Sequence, residues 1–263
     1  MNLGIKDRVA IVAASSKGLG KACAMGLAEE GVKVTICARD ERTLMEAAGE
    51  IESKTGAHVL AIPADVTKLE DIRKLVKETA DKHGKVDILV NNAGGPPLGE
   101  FMDFSPEDWQ KAVNLNLIST INLTRECLPS MQKQNWGRII NITSIAVKQP
   151  IEGLILSNTV RTGIIGLAKT LSQEVAKYNI TVNNVCPGRI NTDRIRSLAE
   201  GRAKAKGVSI EKIFEEWGKD IPLGRVGEAE ELANLVVFLA SERASYITGT
   251  TIQVDGGVVK GLL

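Results

Sequence analysis

The chain reads Val9-Ala10-Ile11-Val12-Ala13-Ala14-Ser15-Ser16-Lys17-Gly18-Leu19-Gly20, and a segment of helical period follows at residues 21–30. The first part is apolar and rich in β-branched residues, which predicts a buried strand. The glycines predict a tight turn that presents a helix N-terminus, whose free N–H groups and dipole suit a pyrophosphate. The alternative is that these glycines serve only the close packing of the helix against the strand.

Short apolar runs of this kind alternate with helical segments along the whole chain. The runs lie at residues 9–13, 32–38, 58–62, 86–90, 138–142, 180–185 and 251–254. This alternation is typical of βαβ units on a parallel sheet. Because 263 residues suffice for one large α/β domain, we predict a single Rossmann-type domain over residues 1–263, with a doubly wound sheet of seven parallel strands.

Two helix starts carry capping signals. Ser105, followed by Pro106 and Asp108, places an N-cap, a first-turn proline and an acid at the positive end of a helix dipole. Thr67 with Glu70 fits a capping box. We therefore expect a helix to begin after each of these two positions.

The segment 193–225 departs from the regular alternation because it is polar and charged. Its apolar residues predict one or two amphipathic helices: Leu198, Ile210, Ile213, Phe214 and Trp217. An insertion between the sixth strand and the last helix is a candidate lid over a ligand. A solvated insertion is the alternative.

Charge and cysteine content exclude several kinds of partner. With 33 basic and 32 acidic side chains the net charge is +1, so we expect neither nucleic acid nor a membrane surface to bind. Four cysteines are widely spaced and only two histidines accompany them, which argues against a metal site or a disulfide framework. We expect buried, reduced thiols. The first residues lack the features of a signal peptide and no apolar stretch reaches membrane-spanning length, so we expect a cytoplasmic protein.

A second motif begins with Gly137-Arg138-Ile139-Ile140-Asn141-Ile142-Thr143-Ser144; Ser157 follows thirteen positions after Ser144 and Arg161 four positions later. Together with Asn91-Asn92-Ala93-Gly94 and Val254-Asp255-Gly256-Gly257, this frame resembles the short-chain dehydrogenase/reductase family, most closely its 3-oxoacyl-acyl-carrier-protein reductases. The family carries a tyrosine and a lysine where Ser157 and Arg161 stand. The chain therefore resembles a divergent subgroup that lacks both.

The resemblance implies a cofactor site built from the segments that follow several of the predicted strands. The glycine fingerprint is matched at Gly18 and Gly20, whereas Ala13 and Ala14 replace its threonine and first glycine. We expect a negative φ at Ala14, because its methyl group is tolerated only in that conformation. We also expect this methyl group to push the backbone away from the cofactor and so to weaken its binding. The implied cofactor-binding residues are Ser15, Ser16, Lys17, Gly18, Leu19, Gly20, Arg39, Asp65, Val66, Asn91, Ala93, Gly94, Pro187, Gly188, Ile190 and Thr192.

The end of the second strand indicates which dinucleotide binds. NAD-preferring members usually carry an acid there, and this chain has Ala38 followed by Arg39. Lys17 in the glycine turn supplies a second cation, so the pair suits a 2′-phosphate and predicts NADP(H). For Arg39 alone, a surface arginine paired with Asp40 or Glu41 is the alternative.

The family's tyrosine donates a proton to a substrate carbonyl, its lysine lowers the pKa of that phenol, its serine orients the carbonyl, and an asparagine supports a proton relay. The corresponding catalytic residues here are Asn116, Ser144, Ser157 and Arg161. A serine hydroxyl is a much weaker acid than a phenol, and an arginine with a pKa above about 12 does not exchange protons as lysine does. Lys148 and Glu152 are candidate substitutes, with solvated loop charges as the alternative.

Two hypotheses follow. The first is an NADP(H)-dependent oxidoreductase with an altered site, acting on a small-molecule carbonyl, alcohol or acyl thioester. The second is a catalytically inactive dinucleotide-binding or scaffold protein of the same fold. Because family members commonly assemble through the helices that here begin near Ser105 and Leu154, we also expect a homodimer or homotetramer.

Overall fold

The computed structural model describes residues 2–262 and has one large sheet between two layers of helices. Its strands are β1 (Val9–Val12), β2 (Lys33–Ala38), β3 (Val59–Pro63), β4 (Ile88–Asn91), β5 (Gly137–Ile142), β6 (Ile180–Pro187), β7 (Ile190–Asn191), β8 (Gly227–Glu228) and β9 (Thr251–Val254). Its α-helices are α1 (Gly18–Glu29), α2 (Glu41–Thr55), α3 (Leu69–His83), α4 (Pro106–Ala112), α5 (Ser119–Lys133), α6 (Ile155–Val175), α7 (Asp193–Lys206), α8 (Ile210–Lys219) and α9 (Ala229–Ala240).

The large sheet has seven parallel strands in the order β3-β2-β1-β4-β5-β6-β9. The direction of winding reverses between β1 and β4, which creates the crevice where doubly wound sheets bind ligands. The predicted single domain with a seven-stranded, Rossmann-type sheet is confirmed.

Alternate residues of each strand face opposite layers, as the strand period requires. In β1, Ala10 and Val12 pack in the cluster formed with α1, α2 and α9. Ile11 and the following Ala13 pack in the cluster formed with α3, α5 and α6. Both faces of β1 are thus buried, which explains why its sequence reads as a continuous apolar run.

Both predicted helices are present, but the predicted side-chain cap forms at only one of them. Ser105 caps α4 in a reciprocal capping box with Asp108. Helix α3 begins after Lys68 with no side-chain cap, because the Thr67 hydroxyl donates instead to the Asp65 carboxylate at 2.8 Å. The Asp65 carboxylate also accepts from the Thr67 N–H at 3.0 Å, so Thr67 belongs to an Asx turn before the helix.

The segment 193–225 forms α7 and α8, as its amphipathic pattern predicts. Their facing sides share a small apolar cluster of their own, which contains Ala199, Ile213 and Trp217. Strands β7 and β8 flank the segment and pair with each other. The two ends of the segment are therefore held together beside the carboxyl end of β6.

The four cysteines are buried and free, as expected. Burial raises the pKa of the Cys23 thiol to about 12 and that of Cys37 to about 11, which keeps both protonated at neutral pH. Across residues 2–262, none of the helices combines the length and the apolar character needed to cross a bilayer.

A row of asparagines joins four strands beneath the carboxyl edge of the sheet. Asn91, Asn141 and Asn184 lie in register on β4, β5 and β6, and Thr251 continues the row on β9. The Asn91 amide donates to Asn141 at 2.8 Å, and the Asn141 amide donates to Asn184 at 2.9 Å. The Asn184 amide donates to the Thr251 hydroxyl at 3.2 Å. This row fixes the strand ends on which the cavity described below rests.

We predict that Asn141→Leu, which keeps the side-chain shape, lowers the free energy of unfolding by about 2–5 kcal/mol, because the buried Asn184 side-chain oxygen loses its donor and the Asn91 amide keeps only its bond to the Thr124 hydroxyl. The matched control is Thr181→Val in β6, where the replaced hydroxyl is buried and has no partner in residues 2–262. This control should change stability by less than about 1 kcal/mol. Urea unfolding measures both, and equal effects would contradict the proposed role of the row.

Candidate active site

A cavity of about 1240 Å³ lies along the carboxyl edge of the sheet. Its walls come from the turn after β1, the ends of β2 and β3, the loops after β4, β5 and β6, and the first turns of α6 and α7. Parallel strands direct their carboxyl ends and the following helix N-termini to this edge. The cavity therefore lies where the sequence predicts the dinucleotide site.

The turn after β1 is held close against the loop after β4. The Asn92 side-chain amide donates to the carbonyl oxygens of Ala13 and Ala14 at 3.2 and 3.1 Å. A Cβ atom at Gly20 would lie 2.5 Å from the Ala14 carbonyl oxygen and 2.7 Å from the Asn92 amide nitrogen. Gly20 is thus required for this close approach, and the N-terminus of α1 stays directed at the cavity.

The backbone of Ala14 corrects one expectation. Its φ is +47°, in the left-handed region, so the predicted negative φ is wrong. The reason is that the turn keeps the geometry a glycine would adopt, with the carbonyl oxygens of residues 13 and 14 both held by Asn92. A non-glycine residue in this conformation costs about 1–2 kcal/mol.

One end of the cavity is strongly cationic. Lys17, Arg39 and Arg42 line it, together with Asp40. The Asp40 carboxylate accepts from the Thr43 N–H at 2.8 Å as the N-cap of α2, and this bond is the main cause that lowers its pKa. Lys17 and Arg39 make no salt bridge within residues 2–262. Arg42 was not among the sequence-predicted residues, although it follows Arg39 by three positions.

Most of the sequence-predicted residues line this one cavity, and four do not. The Ser15 hydroxyl points into the core, where it donates to the Val12 carbonyl oxygen at 2.7 Å. Asn91 belongs to the asparagine row, and Gly20 and Asn116 lie behind the cavity wall. The predicted residues that line it are Ser16, Lys17, Gly18, Leu19, Arg39, Asp65, Val66, Ala93, Gly94, Ser144, Ser157, Arg161, Pro187, Gly188, Ile190 and Thr192.

The other end of the cavity brings together Ser144, Ser157 and Arg161. Ser144 follows β5 and caps a short helical turn, where its hydroxyl accepts from the Ala146 N–H at 3.1 Å. Ser157 and Arg161 lie one turn apart on α6, so both face the same wall. Ser157 is 5% exposed and Arg161 is 7% exposed.

Arg161 is fixed to the end of β5. One guanidinium nitrogen, Nη1, donates to the carbonyl oxygens of Ile142 and Thr143 at 3.2 and 3.1 Å. Within residues 2–262 no carboxylate lies at salt-bridge distance from it. The guanidinium therefore brings a positive charge into the cavity without a protein counter-ion.

The pKa of Arg161 is lower than expected from the sequence. Burial, and then the positive charge on Arg194, lower it to about 10. The expected value above 12 is thus too high, because it took no account of burial. At neutral pH the group still carries its proton.

Asn116 supports this end of the cavity from behind. It lies in a π-helical segment (Val113–Ile118) between α4 and α5. Its amide donates to the Gly94 carbonyl oxygen at 3.0 Å, and its own side-chain oxygen is buried without a partner in residues 2–262. A π-helical segment shifts the register of a helix by one residue and is frequent at functional sites.

The candidate substitutes for the missing acid lie elsewhere. Lys148 and Glu152 do not line the cavity. Tyr246 is fully exposed, and Tyr178 packs beside the core cluster of α3, α5 and α6. Besides Arg42, the sequence prediction did not include Arg194 on α7, which lines the cavity and donates to the Pro96 carbonyl oxygen at 3.1 Å. Only its position two residues after Thr192 could have indicated it.

Comparison with known proteins places this geometry in a family. A family model described as enoyl-(acyl carrier protein) reductase matches residues 13–259. A 3-oxoacyl-[acyl-carrier-protein] reductase of Aquifex aeolicus is 37% identical over 258 residues, which cover 98% of this chain and 100% of the relative. An uncharacterized oxidoreductase of Bacillus subtilis is 33% identical over 266 residues, covering 100% of both.

Among solved structures, L-sorbose reductase from Gluconobacter frateurii, crystallised with NADPH and L-sorbose, superposes with a TM-score of 0.97 at 36% identity and 100% coverage of both chains. The chain belongs to the short-chain dehydrogenase/reductase family.

We predict that Ala14→Gly raises the free energy of unfolding by about 1 kcal/mol, because glycine adopts the left-handed conformation without steric cost. The neighbouring Ala13→Gly is the control. Ala13 is fully buried and its φ is not positive, so its replacement should lower stability by about 1 kcal/mol. Thermal unfolding checks the signs; a destabilised Ala14→Gly would contradict the assigned backbone strain.

Proposed function

We propose that this protein is an NADP(H)-dependent oxidoreductase that interconverts a small-molecule carbonyl compound, such as a ketone or the 3-oxo group of an acyl thioester, and its alcohol, with Ser157 and Arg161 in place of the family's tyrosine and lysine. The observation that carries the proposal is one continuous cavity, with free cations at one end and Ser144, Ser157 and Arg161 at the other. A dinucleotide needs both a long crevice and a phosphate site. The relatives of this chain that are named as reductases support oxidation and reduction as the reaction class.

The residues fit NADP(H). Gly94 faces open space, since a Cβ atom there would meet nothing within 4 Å. Gly18 has a φ of +53° and also lines the cavity. Lys17 and Arg39 would hold the 2′-phosphate, and the N-terminus of α1 would hold the pyrophosphate. In this family the bound dinucleotide supplies or accepts a hydride.

The chain's own residues then bind and polarise the carbonyl. The Ser144 and Ser157 hydroxyls donate hydrogen bonds to its oxygen, and the charge of Arg161 stabilises the negative charge that develops there. Because neither serine is a strong acid and Arg161 keeps its proton, the proton for the alcohol comes from water that enters the cavity. Loss of a positioned general acid typically costs about 10²- to 10⁴-fold in rate, so turnover is slow.

We further propose that the segment 193–225 acts as the lid. Arg194, Ile195 and Leu198 from α7 line the cavity. The pairing of β7 with β8 fixes the base of the segment, whereas its helices pack mainly on each other. Such an element moves over a ligand without disturbing the main sheet.

For the cofactor, we predict that NADPH binds more tightly than NADH and that Lys17→Ala with Arg39→Ala raises the NADPH Kd by about 10- to 100-fold, because two charged hydrogen bonds are lost. The NADH Kd should change little. Lys21→Ala is the control, since Lys21 in the first turn of α1 pairs with Glu50 at 2.8 Å and does not line the cavity. Nicotinamide fluorescence measures the binding; no signal at millimolar NADPH would refute the cofactor assignment.

For the chemistry, we predict that Ser157→Tyr with Arg161→Lys raises kcat by at least about 10²-fold, because it supplies a phenol acid with a lysine beside it. Ser144→Ala should lower activity in both backgrounds. Turnover is measured over a panel of ketones and 3-oxoacyl thioesters. If the wild-type chain already matches the double variant, another acid is present. If it binds NADPH but never turns over, the scaffold hypothesis is favoured.

A further inference from the structure

A second chamber of about 370 Å³ opens beside the main cavity, and nothing in the proposed reaction uses it. The two spaces share Leu98, Ile195 and Leu198. These three apolar side chains, the apolar neck, border both spaces. A ligand that spans the two spaces therefore passes apolar side chains.

The floor of the chamber is cationic and aromatic. Trp217 of α8 is 7% exposed, and the guanidinium carbons of Arg189 and Arg202 each lie 5.5 Å from the centre of its ring. Stacking on an indole holds two guanidinium groups in defined positions despite their like charge.

These cations are incompletely paired. Arg189 Nη1 is buried and has no hydrogen-bond partner within residues 2–262. The nearest carboxylate oxygen is that of Asp220, at 3.7 Å, which is beyond hydrogen-bond distance, and the Asp220 side chain is largely exposed. Arg202 has no salt bridge in the same part of the chain. The Arg189 side chain as a whole is 41% exposed and Arg202 is exposed, so the remaining donors of both guanidinium groups are accessible to an anion in the chamber.

We propose that this chamber binds a carboxylate at the far end of the substrate. The substrate class is then an oxo acid, or the corresponding hydroxy acid, whose carbonyl reaches Ser144 and Ser157 while its carboxylate lies between Arg189 and Arg202. A planar carboxylate matches the two-pronged donors of arginine. The apolar neck selects a hydrocarbon chain between the two groups. This inference rests on the proposed function for the carbonyl end only.

The test uses matched pairs of acids and primary amides: 4-oxopentanoate, 6-oxoheptanoate and 8-oxononanoate against the corresponding amides. Binding to the full chain loaded with NADP⁺ is measured by calorimetry. In parallel, ¹⁹F NMR of protein labelled with 5-fluorotryptophan reports on Trp217, whose signal is assigned with Trp217→Phe. We predict that at least one acid binds about 10-fold more tightly than its amide and shifts the Trp217 signal.

Two variants locate the effect. Arg202→Gln removes one cation, and Gly201→Leu fills the chamber from α7, where a Cβ atom would meet nothing within 4 Å. Each should abolish the preference for the acid and leave the NADPH Kd unchanged. The control is Arg196→Gln on the same helix, because Arg196 donates to Asn191 at 2.9 Å outside the chamber.

The proposal is overturned if no acid binds more tightly than its amide, or if the preference survives both variants. Because NADPH binding is read separately, failure of the chamber and failure of the cofactor site give different results.

Discussion

The bonds of the Arg161 guanidinium to the carbonyl oxygens of Ile142 and Thr143 are the interaction on which the site depends. They join α6 to the end of β5 and so set the positions of Ser157 and Ser144 along the same cavity. They also fix a buried positive charge that has no protein counter-ion. Both bonds come from Nη1 alone, so Nε and Nη2 keep their donors for the cavity, whereas a lysine would use its single nitrogen for these contacts.

The asparagine row explains how the sheet supports this arrangement. Side-chain amides bridge neighbouring strands and replace apolar contacts at the positions just before the cavity-lining residues. Buried polar rows of this kind are costly unless every strand keeps its register. The fixed strand register therefore fixes the positions of Asn92, Thr143 and Pro187 along the cavity. It also fixes where the helices that follow these residues begin.

Much of this architecture could be predicted from the sequence, because strand runs such as 9–13 and 180–185 and the capping signal at Ser105 are local patterns. Local patterns failed where distant residues decide the outcome. The left-handed backbone at Ala14 depends on Asn92, more than 70 positions away in the chain. The Ser15 side chain looks accessible in a glycine turn yet turns toward Val12. Arg194 and the Arg189–Trp217–Arg202 chamber depend on how α7 and α8 pack, which periodicity does not fix.

A crystal structure of the NADP⁺ complex tests most directly whether a working dinucleotide cavity ends at a serine and an arginine. We predict continuous density from the side chains of Lys17 and Arg39 to those of Ser157 and Arg161, with Arg161 still bound to the end of β5. An empty cavity at saturating NADP⁺, or a dinucleotide bound elsewhere on the chain, would contradict it.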